Sequence, residues 1–148
     1  MKSTQLKHAL KFHEATRNIF GDVLPCDRLP KTVPKNKEVA YIVNTHPSHM
    51  PGQHWCAYYF TRTCVFFMDS YGLPPSMPAF HQMMQHRKCK KFFGRRIQGM
   101  GRMCGHYCLY FILALRKGYT FSCFGDDLNA NDRYVKRFVE RHFPIQQN

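Results

Sequence analysis

The sequence predicts an α+β fold in which a small, mostly antiparallel sheet carries packed helices. Three observations predict it. Two apolar runs, His54–Phe60 and Cys64–Asp69, are separated only by a turn around Thr61 and Arg62, which reads as a hairpin. Met103–Arg116 is apolar nearly all round and stops at Gly118, the pattern of a buried helix. Asn131–His142 puts Tyr134, Val135, Phe138 and Val139 on one face and ends before Pro144, the pattern of an amphipathic helix.

The remaining elements follow in order. Residues 4–20 carry an imperfect apolar stripe (Leu6, Ala9, Leu10, Ile19, Phe20) with Gly21 as a stop, which predicts a helix. Residues 21–38 contain Pro25, Pro30 and Pro34 and predict an ordered loop. Val39–Asn44 is a short β-rich run, and 45–53 predict a loop. Both faces of the hairpin strands are apolar, so they should be central and covered. Residues 70–76 break the sheet, and Ser76 is placed to cap a helix running to about His86 with Met77, Phe80, Met83 and Met84 inward. The basic stretch 86–96, with two phenylalanines, predicts an edge strand. At 148 residues one domain is expected, residues 1–148.

Composition narrows the function classes. A net charge of +13 favours a polyanionic partner, most simply nucleic acid. The first 20 residues are interrupted by charge throughout, so they do not read as a secretory signal, and no apolar run is long enough to span a bilayer. Seven cysteines at irregular spacing predict a reducing compartment and no disulfide framework.

Four residues suggest chemistry. Pairing Phe60 with Thr63, or Tyr59 with Cys64, sets His54 directly opposite Asp69, where a carboxylate can fix the imidazole tautomer. A one-residue slip would part them. Cys104 stands in the first turn of the Met103–Arg116 helix. There the helix dipole lowers a thiol pKa and free N–H groups can meet an oxyanion. Gly105 beside it leaves room for a substrate backbone. Gln98, six residues earlier in a glycine-rich stretch, can supply a side-chain N–H to the same oxyanion. The pattern is that of a cysteine nucleophile (Cys104) with a histidine base (His54). Metal binding through Cys104, His106 and Cys108, with His46 and His49 nearby, fits poorly. No C-x-x-C pair exists, and positions 104 and 106 diverge on a helix. No metal is expected.

The sequence His54-Trp55, the run Phe66-Phe67-Met68-Asp69-Ser70-Tyr71-Gly72, then Gln98 and Cys104-Gly105-His106-Tyr107-Cys108, resembles the adenovirus-type cysteine proteases (adenain). It looks closest to the adenain-like enzymes of Maverick/Polinton elements and related DNA viruses, which share a papain-like fold with the SUMO-deconjugating proteases. The resemblance implies His54 as base, Asp69 as its orienting acid, Cys104 as nucleophile, and Gln98 with the Cys104 N–H as oxyanion hole. It implies that Trp55 walls the substrate groove and that cleavage falls beside glycine in capsid or core precursors. Adenovirus enzymes carry Glu where this chain has Asp69. They are stimulated by viral DNA and by a short peptide. Arg87, Lys88, Lys90, Lys91, Arg95 and Arg96 are therefore candidate DNA contacts, and Cys89 a candidate peptide-linking cysteine.

These readings lead to a monomeric cysteine endopeptidase that processes viral or transposon structural precursors, needing no cofactor for its chemistry but open to modulation by DNA or a peptide. The expected location is the host nucleus and the virion, with no membrane partner. Two alternatives remain at this point. One is deconjugation of a ubiquitin-like protein by the same residues. The other is a noncatalytic basic protein that binds nucleic acid.

Overall fold

The computed structural model describes residues 1–48 and 54–146. Five strands form one sheet in the order β1-β2-β3-β4-β5: Phe20–Pro25, Val39–Asn44, Trp55–Phe60, Cys64–Met68 and Cys89–Phe93. The helices are α1 (Ser3–Phe12), α2 (Pro78–Met84), α3 (Cys104–Lys117) and α4 (Leu128–His142). The two inner pairings, β2–β3 and β3–β4, are antiparallel, while β1–β2 and β4–β5 at the margins are parallel. Among the described residues no helix is long and apolar enough to cross a membrane.

Strand alternation divides the core into two halves. Ala40, Ile42, Ala57, Tyr59 and Met68 face α1, α3 and α4. Tyr41, Val43, Tyr58, Phe60, Val65 and Phe67 face the other way, where Phe80, Met83 and Met84 of α2 cover them. The inner strands β2 and β3 are therefore buried throughout, as their two-sided apolarity requires. Helix α3 packs on β3 and ends at Gly118, whose φ of 77° closes it in the left-handed conformation that glycine tolerates.

The first helix is shorter than the apolar stripe predicts. Thr16 is fully buried, and its hydroxyl donates to the Leu10 carbonyl at 2.7 Å, while the Ala15 N–H donates to His13 Nδ1 at 2.9 Å. These side-chain bonds replace helical ones and turn the chain. Ile19 and Phe20 then enter the sheet region instead of extending the stripe. The stretch expected as a loop contains β1, which runs parallel to β2 from Phe20↔Ala40 to Pro25↔Asn44. Its prolines misled because β1 is an edge strand with Pro25 at its end, where a missing N–H is tolerated. At α2 the capping position is Met77 with Pro78 in the first turn, not Ser76. Helix α4 starts at Leu128 because the Asp127 carboxylate accepts from the Ala130 N–H at 3.1 Å.

Two further expectations change. The parallel register sets Cys64 against Cys89 with Cα atoms 4.4 Å apart, and the two form a disulfide. The cysteines are thus not all free, and Cys89 is bonded within its own sheet, which leaves it no thiol for linking a peptide. Arg87 is 6% exposed and spends its guanidinium on the carbonyls of Thr61, His86 and Pro34 while lying over the Phe60 ring. It ties the hairpin turn to the 29–38 segment and is not a surface contact for DNA. Lys88, Lys90, Lys91, Arg95 and Arg96 are exposed.

Candidate active site

The hairpin register differs from the expected one by two residues. Thr61 pairs with Cys64, Phe60 with Val65 and Ala57 with Met68. Carrying this register on by one residue places Asp69 opposite Cys56, diagonal to His54. A shift of two keeps every side chain on its face, so His54 and Asp69 still meet. His54 Nε2 lies 2.8 Å from Asp69 Oδ1, with the side chains 15% and 6% exposed. A two-residue turn at Arg62-Thr63, held by the Thr61 hydroxyl accepting from the Cys64 N–H at 2.9 Å, sets this register.

Asp69 is held from three sides. Oδ1 also accepts from the Tyr71 N–H at 2.8 Å, and the Cys56 thiol donates to Oδ2 at 3.6 Å. The turn that supplies the Tyr71 N–H closes with Gly72 N–H donating to the Asp69 carbonyl at 2.8 Å. Gly72 has φ of 76°, and a Cβ there would lie 2.7 Å from the Arg96 nitrogen. We expect Gly72→Ala to lower unfolding free energy by about 1–3 kcal/mol, read by urea denaturation, and to loosen Asp69 at the same time.

Cys104 sits at the start of α3, 8% exposed, with its sulfur 3.4 Å from the Trp55 N–H. Adjacent residues at the entry to β3 thus serve both sides of the site: the Trp55 backbone holds the thiol, and the His54 ring, one residue before the strand, holds Asp69. Because Nε2 faces Asp69, Nδ1 is the ring nitrogen left for Cys104. Burial pushes the Cys104 thiol up, but hydrogen bonds from His54 and the Trp55 N–H, the His54 charge and the chain's amino terminus outweigh it and bring it below its ordinary value. Burial likewise works against a charged His54. Its bonds to Asp69 and Cys104 and the charges of both prevail, raising it to about 9. Both shifts favour the thiolate–imidazolium form of the pair over its neutral form.

Trp55 is 8% exposed, and its indole N–H donates to the Met1 carbonyl at 3.1 Å. It lines a cavity of about 440 Å³ with Val23, Leu24, Asn44 and His46. A second cavity of about 390 Å³ shares His46 with it and is lined by His54, Cys56, Asp69, Leu73 and Phe80. Gly105 does not open toward either cavity; a Cβ on it would lie 3.3 Å from Leu6 and Met1 side-chain atoms. Its role in this structure is to let α1 pack closely on α3. His49 lies outside the described residues.

Gln98 is 1% exposed. Its Oε1 accepts from the Ser70 hydroxyl, one N–H donates to the Gly101 carbonyl at 2.7 Å, and the Tyr71 hydroxyl stands 3.4 Å from the same nitrogen. The segment bearing it is pinned from α4. Asn131 donates to the carbonyls of Ile97 and Gly125, and Asp132 accepts from the Gly99 N–H at 3.1 Å and the Tyr107 hydroxyl at 2.6 Å.

Sequence reasoning missed Tyr71, Cys56, Asn131 and Asp132. Tyr71 stacks on His54 at 4.9 Å between ring centroids and is itself covered by the Arg96 guanidinium at 5.2 Å. Its adjacency to Asp69 was the available signal. Cys56 was legible only as a same-face neighbour of His54, two residues along a strand. The α4 residues act across more than 30 residues of chain, and no local pattern announces them.

No protein-family model and no curated protein sequence matches the chain. Among solved structures, it resembles the crystal structure of ASFV pS273R protease with a TM-score of 0.56 at 15% identity, covering 88% of this chain and 62% of that one. A selenomethionine crystal structure of the same protease aligns with a TM-score of 0.49 at 19% identity, over 74% of this chain and 45% of that one. The chain therefore spans less than two thirds of the protein it resembles. What the two proteins share is the fold, an α+β sheet with helices packed on it.

Proposed function

We propose that the protein is a cysteine peptidase with Cys104 as nucleophile, His54 as general acid and base, and Asp69 as the residue that orients His54. The observation that carries the reading is the arrangement at residues 54 and 55: the Trp55 N–H stands 3.4 Å from the Cys104 sulfur, and His54 Nε2 lies 2.8 Å from Asp69, which leaves Nδ1 as the His54 nitrogen available to Cys104. The Cys104 thiolate attacks a peptide carbonyl. The oxyanion so formed meets the free N–H groups of the first turn of α3. The resemblance in sequence offers Gln98 for a further N–H, although its amide here is buried and engaged with Ser70, Gly101 and Tyr71. Imidazolium His54 passes its proton to the leaving amine. Neutral His54 then takes a proton from water, whose oxygen attacks the thioester, and the acid product leaves with Cys104 restored.

The substrate reading is narrower. The fold and the resemblance in sequence support cleavage beside a small residue such as glycine in a viral or transposon structural precursor. The same fold serves removal of ubiquitin-like proteins. Cleavage of a glycine-containing capsid peptide with no action on a ubiquitin-like conjugate separates the two. The exposed Lys88, Lys90, Lys91, Arg95 and Arg96 support nonspecific DNA as a modulator, which predicts a response to DNA that fades with salt.

The charge state of the pair gives a test by pH. Hydrolysis needs His54 protonated, so kcat/KM should decline as pH rises through about 9. Alkylation of Cys104 needs only the thiolate, so its rate should show no such decline. A peptidase whose upper limb falls instead between pH 6 and 7, where an isolated histidine titrates, would contradict the assigned pair.

A further inference from the structure

The sheet face that carries His54 also carries a third donor that the peptidase reading does not use. His54 and Cys56 stand two residues apart at the start of β3, so they project from the same side. Asp69 meets both from the end of β4. One oxygen, nitrogen or sulfur atom from each of His54, Cys56 and Asp69 can be chosen so that all lie within 4.8 Å of one another. The individual separations are 2.8 Å from His54 Nε2 to Asp69 Oδ1 and 3.6 Å from Cys56 sulfur to Asp69 Oδ2.

We propose that His54, Cys56 and Asp69 form a zinc site, and that zinc bound there switches the Cys104–His54 pair off. Imidazole, thiolate and carboxylate are the ligand types that zinc takes together, at about 2.0–2.3 Å, which sets tetrahedral ligands about 3.3–3.8 Å from one another. The trio is within about 1 Å of that spacing without moving either strand. All three residues line the 390 Å³ cavity, which gives the ion an entrance and leaves its fourth position to water. Binding releases two protons to solvent, one from the Cys56 thiol and one from His54 Nε2. Two anionic ligands then balance the ion's charge, which offsets the burial that otherwise keeps Cys56 a neutral thiol. The consequence follows from the ring's two nitrogens. With zinc on Nε2 in place of a proton shared with Asp69, the imidazole is a poorer base at Nδ1, and the imidazolium that stabilises the Cys104 thiolate is lost. Cys104 itself stays outside the site, because it approaches from the α3 side of the sheet, where the Trp55 N–H holds it.

Metal binding stands apart from the peptidase reading, whereas the inhibitory effect rests on it. The experiment therefore begins with Cys104→Ala protein, which cannot turn over. Zinc uptake is measured by calorimetry, and cobalt(II) is added separately to read thiolate-to-metal charge transfer in the near ultraviolet. The expected result is one equivalent of metal with a thiolate band. Adding Cys56→Ser, which keeps the volume, should weaken binding at least tenfold and remove the band. If that variant fails to fold by circular dichroism, His54→Ala in the same background must show the weakening. Failure of Cys104→Ala protein to take up zinc, or undiminished binding once Cys56 or His54 is replaced, overturns the site. In wild-type enzyme, zinc should inhibit hydrolysis. Inhibition that is unchanged in Cys56→Ser, relative to that variant's own rate, overturns the switch.

Discussion

Replacing Cys104 with alanine should abolish peptide hydrolysis, a loss of about 10⁴- to 10⁶-fold in kcat. No other cysteine combines a helix N-terminus, a backbone N–H on its sulfur and a histidine partner among the described residues. Cys108, one turn further along α3, is fully buried and its thiol is pushed well up by burial, so it cannot substitute. The alanine variant should fold, because Cys104 makes one backbone contact through its sulfur and its removal leaves a small void at the helix end. Discontinuous hydrolysis of glycine-bearing peptides, with wild type and variant at matched concentration, reads the effect. Activity that persists in the variant would show that the site lies elsewhere.

Asp69→Ala should reduce kcat by about 10⁴-fold, the usual effect of removing the group that orients a catalytic histidine. It strips His54 Nε2 of its acceptor and leaves the Tyr71 N–H and the Cys56 thiol without theirs. Asp69→Asn should lose less, because its Oδ1 can still accept from Nε2 and from the Tyr71 N–H. The charge is gone in both, so the His54 titration should fall from about 9 in each, followed by histidine resonances in NMR. A purely structural Asp69 would lower thermal stability in the variants and leave that titration in place. The two readouts therefore separate orientation from scaffolding.

The residues of the site were more legible than the way the chain brings them together. His54 and Asp69 could be paired from the sequence because period-two alternation survives a register shift of two, so the error in pairing cost nothing at the side chains. An odd shift would have put Asp69 on the far face. Cys104 was legible because helix starts follow from apolar pattern and from the glycine-rich stretch before it. The β1 strand was not, since three prolines and seven charged residues in 21–38 mask a short edge strand that is defined by its partner β2. The Cys64–Cys89 bond depends on a parallel pairing across the α2 crossover, and nothing local in either segment specifies it. Gly105 shows the reverse case. Its neighbourhood to Cys104 suggested room for substrate, whereas tertiary packing uses that room for Leu6 and Met1. The exposure of Lys90 and Lys91 follows from their place on an edge strand. Arg87 is buried because a neighbouring turn offers it carbonyls, which composition does not reveal.

Selective alkylation tests the account most directly. The free cysteines of this structure are Cys26, Cys56, Cys104, Cys108 and Cys123, and accessibility alone ranks Cys123 first, since it is exposed while Cys104 is buried. A thiolate held by His54 and the Trp55 N–H reverses that order, because each unit by which a thiol pKa falls raises its thiolate fraction about tenfold. Limiting iodoacetamide at pH 7, followed by peptide mapping, should place the first adduct on Cys104 in the wild type and remove that preference in His54→Ala. Modification of Cys123 first, with Cys104 labelled only after unfolding, would contradict the account.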